Sequence, residues 1–325
     1  MASPTLTTLL VFCISSAATT YASKMPISKV KDLRGGVSDR ESESCNGDDA
    51  ADPTMPFVKQ DGELLEEELP ISNSLVTADG RHVHLRPLHE ELQLTYVHGL
   101  ISSEEIDDMM RLATARDGWG RSPLKTQQSG ADSDAVHARN SSSCPLLWPL
   151  VYSSRIAELE TAGRQDLIEE LDLVTRITER VSDVFTQTGL ELTKASIEPL
   201  QLVRYQASEV FTPHHDYHEP GPDGKLGSSV QGEQRAFTVL LFGSTLPADA
   251  GGETHFPHLG LAVTPRKGDA IVWANVDGDG EINPRSLHEG RPPADGFAKV
   301  AVNVWIADKP FAVDGRMDNA VRMGT

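Results

Sequence analysis

The chain has 325 residues, 38% hydrophobic and 24% charged, with 29 Lys and Arg against 48 Asp and Glu for a formal charge of −19. That is enough apolar side chain for a real core, so a wholly disordered chain is excluded. The negative balance argues against nucleic acid as a partner, because phosphate contacts need clustered Lys and Arg. Past the N-terminus no window approaches ~20 consecutive apolar residues, so no stable membrane-spanning helix is expected there.

The first residues pass from an apolar stretch, Leu9 to Ile14, into small residues ending in Thr20-Tyr21-Ala22. This is the shape of a secretory signal peptide over residues 1–22, although a positive n-region is missing. Cleavage there would remove Cys13 and leave Cys45 and Cys144, whose pairing the sequence leaves open. From Ser23 to about Leu85 the composition shifts to Ser, Asp, Glu, Gly and Pro without a sustained apolar period. Residues 23–85 are therefore expected to be an acidic, loosely ordered arm. A folded domain is expected over 86–312, followed by a polar tail over 313–325 that carries no KDEL-type signal.

Within the domain, Ser102-Ser103-Glu104-Glu105 is a capping-box pattern, and Ile106, Met109, Met110 and Ala113 follow at helical spacing. A longer helix is predicted from about Gln165 to Thr186. Its apolar residues Leu167, Leu171, Val174, Ile177, Val181 and Val184 recur at steps of three and four, and Gly189 follows its end. After Thr193 the period changes to that of strands at Leu200 to Tyr205, Phe237 to Phe242, Ala270 to Trp273 and Val300 to Ile306. Helices first and short strands after give an α+β class, with N-terminal helices packed outside an antiparallel sandwich or jelly roll.

Eleven histidines are spread along the chain, and one cluster stands out: Thr212-Pro213-His214-His215-Asp216-Tyr217-His218. In an extended segment His214 and Asp216 share a face. With His288, from Ser286-Leu287-His288-Glu289-Gly290, they would complete a facial set of two His and one carboxylate. Such a set leaves positions open on Fe(II) for a cosubstrate and O₂. Alone, His-x-Asp is a weak signal. Lys299, eleven residues after His288, suits the far carboxylate of a dicarboxylic acid when sheltered from water.

The motifs in order are Tyr205-x₈-His214-x-Asp216, Gly251-Gly252-x-Thr254-x-Phe256-Pro257, Lys267-Gly268-Asp269-Ala270, His288-x-Gly290-x-Pro292 and Lys299-x₅-Trp305. Together they resemble the prolyl 4-hydroxylase family of Fe(II)/2-oxoglutarate dioxygenases. Upstream, Leu100 to Glu105 resembles the family's opening helix, Arg139-Asn140-Ser141-Ser142 its Arg-x-Ser stretch, and Glu198-Pro199-Leu200-Gln201 its lead into the first metal strand. The resemblance covers about Thr95 to Pro310 and implies a double-stranded β-helix core.

It further implies iron on His214, Asp216 and His288, and the 2-oxoglutarate C5 carboxylate on Lys299, helped by Tyr205 and Thr254 with Trp305 lining that pocket. Glu198, Arg235, Phe211 and Trp119 become candidates for substrate binding. The expected cofactors are Fe(II), 2-oxoglutarate, O₂ and ascorbate. The expected partner is a proline-containing peptide in the secretory pathway, in the endoplasmic reticulum or Golgi lumen or secreted. The residues from Trp119 to Arg139 are expected to form a lid.

Three departures stand out. The His288 to Lys299 interval is one residue longer than is common in the family, Val300 stands where Trp is frequent, and Ala307 where many members have His. Alternatives are hydroxylation of another residue or a small molecule, or a jelly-roll binding module without turnover. Asn275-x-Asp277-x-Asp279-Gly280 mimics half of a calcium loop but lacks its final Glu, and is read as a turn. Asn140-Ser141-Ser142 is a glycosylation sequon, placed where a bulky glycan would crowd the expected site.

Overall fold

The computed structural model describes residues 58–65, 71–122, 139–190, 192–220, 232–277 and 279–312. The signal peptide, Cys45, the arm before Val58, the tail and most of the expected lid lie outside the described residues.

In chain order the strands are β1 (Val58–Gln60), β2 (Glu63–Leu64), β3 (Asn73–Val76), β4 (His82–His89), β5 (Leu94–His98), β6 (Gly120–Arg121) and β7 (Ser142–Pro145). They continue as β8 (Gln201–Tyr205), β9 (Phe211–His214), β10 (Arg235–Phe242), β11 (Thr254–Phe256), β12 (Leu261–Val263), β13 (Ala270–Ala274), β14 (His288–Gly290) and β15 (Lys299–Ala307). They form a six-stranded sheet, β2-β1-β12-β11-β14-β9, and a nine-stranded sheet, β3-β4-β5-β13-β10-β15-β8-β7-β6. From β8 onward the chain switches between the two sheets, which is the winding of a jelly roll. The pairings of these strands are antiparallel.

The two longest helices before β8 pack on the nine-stranded sheet. The first, Ser103–Ala115, begins with a complete capping box: Glu105 N–H donates to Ser102 Oγ, and Ser102 N–H to the Glu105 carboxylate. The second, Gln165–Gln187, carries the stripe that its spacing predicts. Ile106 and Met109 of the first helix, and Val174 and Ile177 of the second, share one apolar cluster with Val239, Val302 and Val304 of the sheet. Burying each such side chain contributes about 1.5–3 kcal/mol. Arg180 of the longer helix spans to Glu105 at 2.8 Å and ties the two helices together.

Strands begin at Val58, inside the segment expected to be a loosely ordered arm. β1 pairs with β12 through Val58↔Val263, and β3 with β4 through Leu75↔Val83. Val58 is 1% exposed and Val83 is fully buried. The short strands β1 to β3 leave most of their residues at least partly in water and bury only Val58 of β1 and Leu75 of β3, so their composition resembles that of a solvated linker.

A second apolar cluster, with Phe242, Phe256, Trp273 and Tyr205, lies between the two sheets. The Lys267-Gly268-Asp269 turn is bound into it: Tyr96 Oη donates to Asp269 at 2.8 Å and Gly99 N–H at 2.9 Å. The candidate site opens in this inter-sheet layer.

Candidate active site

His214 closes β9 and His288 opens β14, and the two are register partners. Asp216 follows two residues after His214, so the three side chains converge. One ligand atom from each lies within 4.8 Å of the others. They are 5%, 4% and 6% exposed for His214, Asp216 and His288. His214 Nδ1 lies 2.8 Å from Thr212 O, and His288 Nδ1 lies 2.9 Å from Ser286 O. A carbonyl only accepts, so each Nδ1 carries a proton and each Nε2 is the nitrogen turned towards the cluster. Two imidazoles, pre-oriented by their backbone partners, and one carboxylate fit Fe(II) or a similar divalent ion.

Lys299 opens β15 opposite Tyr205. Its Nζ donates to Thr254 Oγ1 at 3.0 Å and sits 5.9 Å from the centre of the Tyr205 ring. The longer interval after His288 therefore still brings this ammonium into the cavity that the triad lines. Lys299 is 2% exposed, and burial pushes its pKa down to about 7 against the opposing pull of Glu253. Burial also raises the Tyr205 phenol, while Arg139 and Ser141, which hydrogen-bond it, pull the other way.

Thr254 is placed by the glycine pair before it. Gly251 and Gly252 have φ of +68° and +74°, and a Cβ on Gly251 would come within 2.5 Å of Pro292 O. Only glycine fits that turn without strain. The adjoining Glu253 is 5% exposed and pairs with Lys59 of β1 at 2.7 Å.

The other expected site residues fall into separate groups. Phe211 stacks on the His214 ring, 3.5 Å between centres at 19°, with the Arg139 guanidinium 4.6 Å above its other face. Glu198 and Arg235 form a two-bond ion pair, both contacts at 2.7 Å, and Arg235 lies 3.6 Å over the Trp305 ring. Trp305 shares a face of β15 with Lys299 but stands six residues along the strand, roughly 20 Å away at 3.3 Å per residue. It therefore belongs with Arg235 and not beside the Lys299 ammonium. Trp119 is also elsewhere. It packs against the helix-side cluster, donates to Thr114 Oγ1 at 3.2 Å, and lies under Arg204.

The surplus ligand types are accounted for outside the triad. His255 bonds Glu289 at 2.7 Å, and the Asp277 carboxylate caps its own turn by accepting from Asp279 and Glu281 N–H. The sequence reading missed Thr238, Trp273 and Asn275, which connect to the triad from behind. Thr238 was visible as a polar residue inside the apolar run of β10, and Asn275 as one directly after β13.

Residues 200–307 match the 2OG-Fe(II) oxygenase superfamily model. The chain is 30% identical over 215 residues to mouse prolyl 4-hydroxylase subunit alpha-1, covering 65% of this chain and 33% of that protein. It is 28% identical over 235 residues to Arabidopsis thaliana prolyl 4-hydroxylase 5, covering 66% and 67%. Among solved structures it resembles the viral collagen prolyl hydroxylase of Paramecium bursaria Chlorella virus-1 in its 2OG complex. There the identity is 20% and the TM-score 0.45, over 66% of this chain and 95% of that one. The chain thus spans about a third of the length of the animal alpha subunits it matches. Residues 200–307 thus carry a 2OG-Fe(II) oxygenase domain, and the chain around them is similar to prolyl 4-hydroxylases at about 30% identity.

Proposed function

We propose that the protein hydroxylates peptidyl proline, using Fe(II), 2-oxoglutarate and O₂. The observation that carries this reading is one buried cavity lined by both the His214–Asp216–His288 cluster and the Lys299 ammonium. A metal ligand set alone would serve many reactions. A sheltered cation in the same cavity suits a dicarboxylate cosubstrate.

In this reading His214, Asp216 and His288 hold the iron. Lys299 and Thr254, with Tyr205 beside them, receive the C5 carboxylate of 2-oxoglutarate. Iron held there supplies the oxidative chemistry: O₂ and 2-oxoglutarate go to succinate and CO₂, and one oxygen atom is inserted into a substrate C–H bond. The chain's own residues do the positioning. The Thr212 and Ser286 carbonyls hold each Nδ1, so each ring turns its Nε2 towards the metal position. Lys299 binds the cosubstrate as the ammonium, which the incoming carboxylate favours despite the burial. The inter-sheet cluster walls the cavity and keeps bulk water from its floor.

Glu198, Arg235 and Trp305 form a polar and aromatic group beside Asp216, since Arg235 Nη1 also reaches Asp216 O at 3.4 Å. We assign the peptide to that side and the cosubstrate to the Lys299 side. Phe211, against His214, would form the edge between them. Ascorbate is taken as the reductant that keeps iron divalent. The leader-like residues 1–22 support work in the secretory pathway, and no described helix is long and apolar enough to cross a membrane. The binding module without turnover drew on the longer His288 to Lys299 interval, and the 3.0 Å contact from Lys299 to Thr254 favours the enzyme instead.

The test is tandem mass spectrometry of proline-rich and lysine-containing peptides incubated with Fe(II), 2-oxoglutarate, ascorbate and air. The expected product is one added oxygen on proline, absent with His214→Ala. Succinate without peptide oxidation would keep the cosubstrate chemistry and remove proline. Neither product from folded, metal-loaded protein would remove the enzyme.

A further inference from the structure

Behind the triad runs a chain of side-chain hydrogen bonds whose direction is fixed by chemistry. Trp273 Nε1 donates to Asn275 Oδ1 at 3.0 Å, Asn275 Nδ2 donates to Thr238 Oγ1 at 2.9 Å, and Thr238 Oγ1 donates to Asp216 Oδ2 at 2.8 Å. Trp273 and Asp216 are 1% and 4% exposed, and Asn275 and Thr238 are fully buried. An indole N–H has no acceptor role, so the Asn275 oxygen must face it and the amide nitrogen must face Thr238. A hydroxyl that accepts from that nitrogen has its own proton left for the next partner, which is the Asp216 carboxylate. The polarity thus runs one way, from indole to ligand.

The same indole also touches a second member of the triad. Its ring meets the His288 ring edge-on, 4.7 Å between centres at 62°. The backbone supports this arrangement, because Thr238 on β10 and Trp273 on β13 are register partners at the middle of the nine-stranded sheet. We propose that Thr238 and Asn275 are positioning residues that lock the Asp216 carboxylate for metal binding, with Trp273 fixing the direction of the relay and holding His288. The proposal rests on the triad being the metal site. It assigns the rotation of Asp216 to residues that touch neither metal nor substrate.

Two nearly isosteric changes separate the relay from mere packing. Thr238→Val keeps the shape and removes the hydroxyl. Asn275→Asp keeps the shape but accepts from both neighbours, so the Thr238 hydroxyl turns towards it and away from Asp216. Co(II) titration of the apo protein, followed by its visible absorption, reads metal affinity and ligand geometry without turnover. Both variants are expected to bind Co(II) about 10- to 100-fold more weakly, the range in which residues supporting metal ligands act. The double variant should be no weaker than either single one, because the two changes break one chain. Thr238→Ser, which keeps the hydroxyl, should restore affinity and the wild-type band positions.

Should a buried carboxylate prevent Asn275→Asp from folding, Trp273→Phe keeps a ring against His288 and removes only the donor. A several-fold loss with shifted Co(II) bands is expected there. Wild-type affinity and bands in Thr238→Val, or losses that multiply in the double variant, would overturn the relay while leaving the metal site intact. Absence of Co(II) binding by the wild-type protein would overturn both.

Discussion

Lys299 is an ammonium with almost no water around it, and its cost and its use are the same physical fact. Burial pushes its pKa from the ordinary lysine range down to about 7. Below that pH it is charged in the folded and the unfolded chain alike, and the whole penalty of burying it is present. As pH rises from 7 towards the unfolded value, the unfolded chain holds the extra proton, so the apo fold gains stability. The penalty near neutrality is on the order of 4 kcal/mol. Lys299→Met is therefore expected to raise the apo melting temperature at pH 6–7 and to abolish the further rise that 2-oxoglutarate gives wild type. An unchanged apo value, or a retained 2-oxoglutarate shift, would contradict this. Above pH 7 the neutral amine must take up a proton to hold a carboxylate, so 2-oxoglutarate affinity should weaken by up to about tenfold per pH unit, measurable by calorimetry. Trp119 makes the opposite kind of prediction. It leans on Thr114 and Arg204 away from the cavity, so Trp119→Ala should lower the melting temperature yet spare the KM for peptide. A raised peptide KM at unchanged stability would restore it to the groove. The triad was legible because ligand chemistry requires particular residue types at tight spacing. Thr238 and Asn275 were not, because one polar residue in an apolar run has no partner until β10 and β13 pair. Trp305 was misplaced for a related reason: spacing shows that it shares a face with Lys299, but not that six residues of strand separate them.

At the level of elements, β1 reaches the cosubstrate side of the cavity from far outside the stretch that matches the family model. Its Lys59 donates to Glu253 at 2.7 Å and to Ala248 O at 2.6 Å, and Glu253 adjoins the Thr254 that meets Lys299. Burial pushes the Glu253 carboxyl up, but Lys59 and backbone hydrogen bonds outweigh it and hold the pKa below the usual carboxylate range. A lowered folded pKa contributes stability above the ordinary glutamate value and loses it as pH falls through the lowered one. Lys59→Met leaves a buried carboxylate without its cation and is expected to cost about 2–3 kcal/mol at pH 7. That lies below the fully buried range because Lys59 is partly in water. Urea midpoints should show this loss at pH 7 and a much smaller one near pH 4, where Glu253 in the variant is protonated. A loss equal at both pH values would mean that packing and not charge is at stake. The long helix and β8, β10, β13 and β15 were legible because each holds its period over enough residues for alternation to outweigh noise. β1 and β2 were not, since three and two residues cannot display a period. β1 takes its identity from β12, just over two hundred residues away in the chain, and β2 takes its own from β1.

For the molecule as a whole, the N-terminal boundary decides whether the jelly roll stands alone. A domain beginning at residue 86 would lack β1, β2, β3 and half of β4. It would lose the buried side chains Val58, Leu75, Val83 and Leu85, each contributing about 1.5–3 kcal/mol when buried. It would also expose β12 as a new edge of one sheet and the Val97–His98 end of β5 as a new edge of the other. Unpaired strands of this kind invite association with other chains. The summed loss is comparable with the 5–15 kcal/mol that holds a typical domain together. A protein starting a few residues before Val58 is expected to melt cooperatively and to bind 2-oxoglutarate as the full chain does. One starting at Arg86 is expected to aggregate, or to show no cooperative transition, at the same concentration. Calorimetry and light scattering on the two proteins check this. A cooperatively melting protein from Arg86 that binds 2-oxoglutarate with full affinity would show that β1 to β3 cover the roll without holding it, and Lys59 would then have no part in placing Glu253.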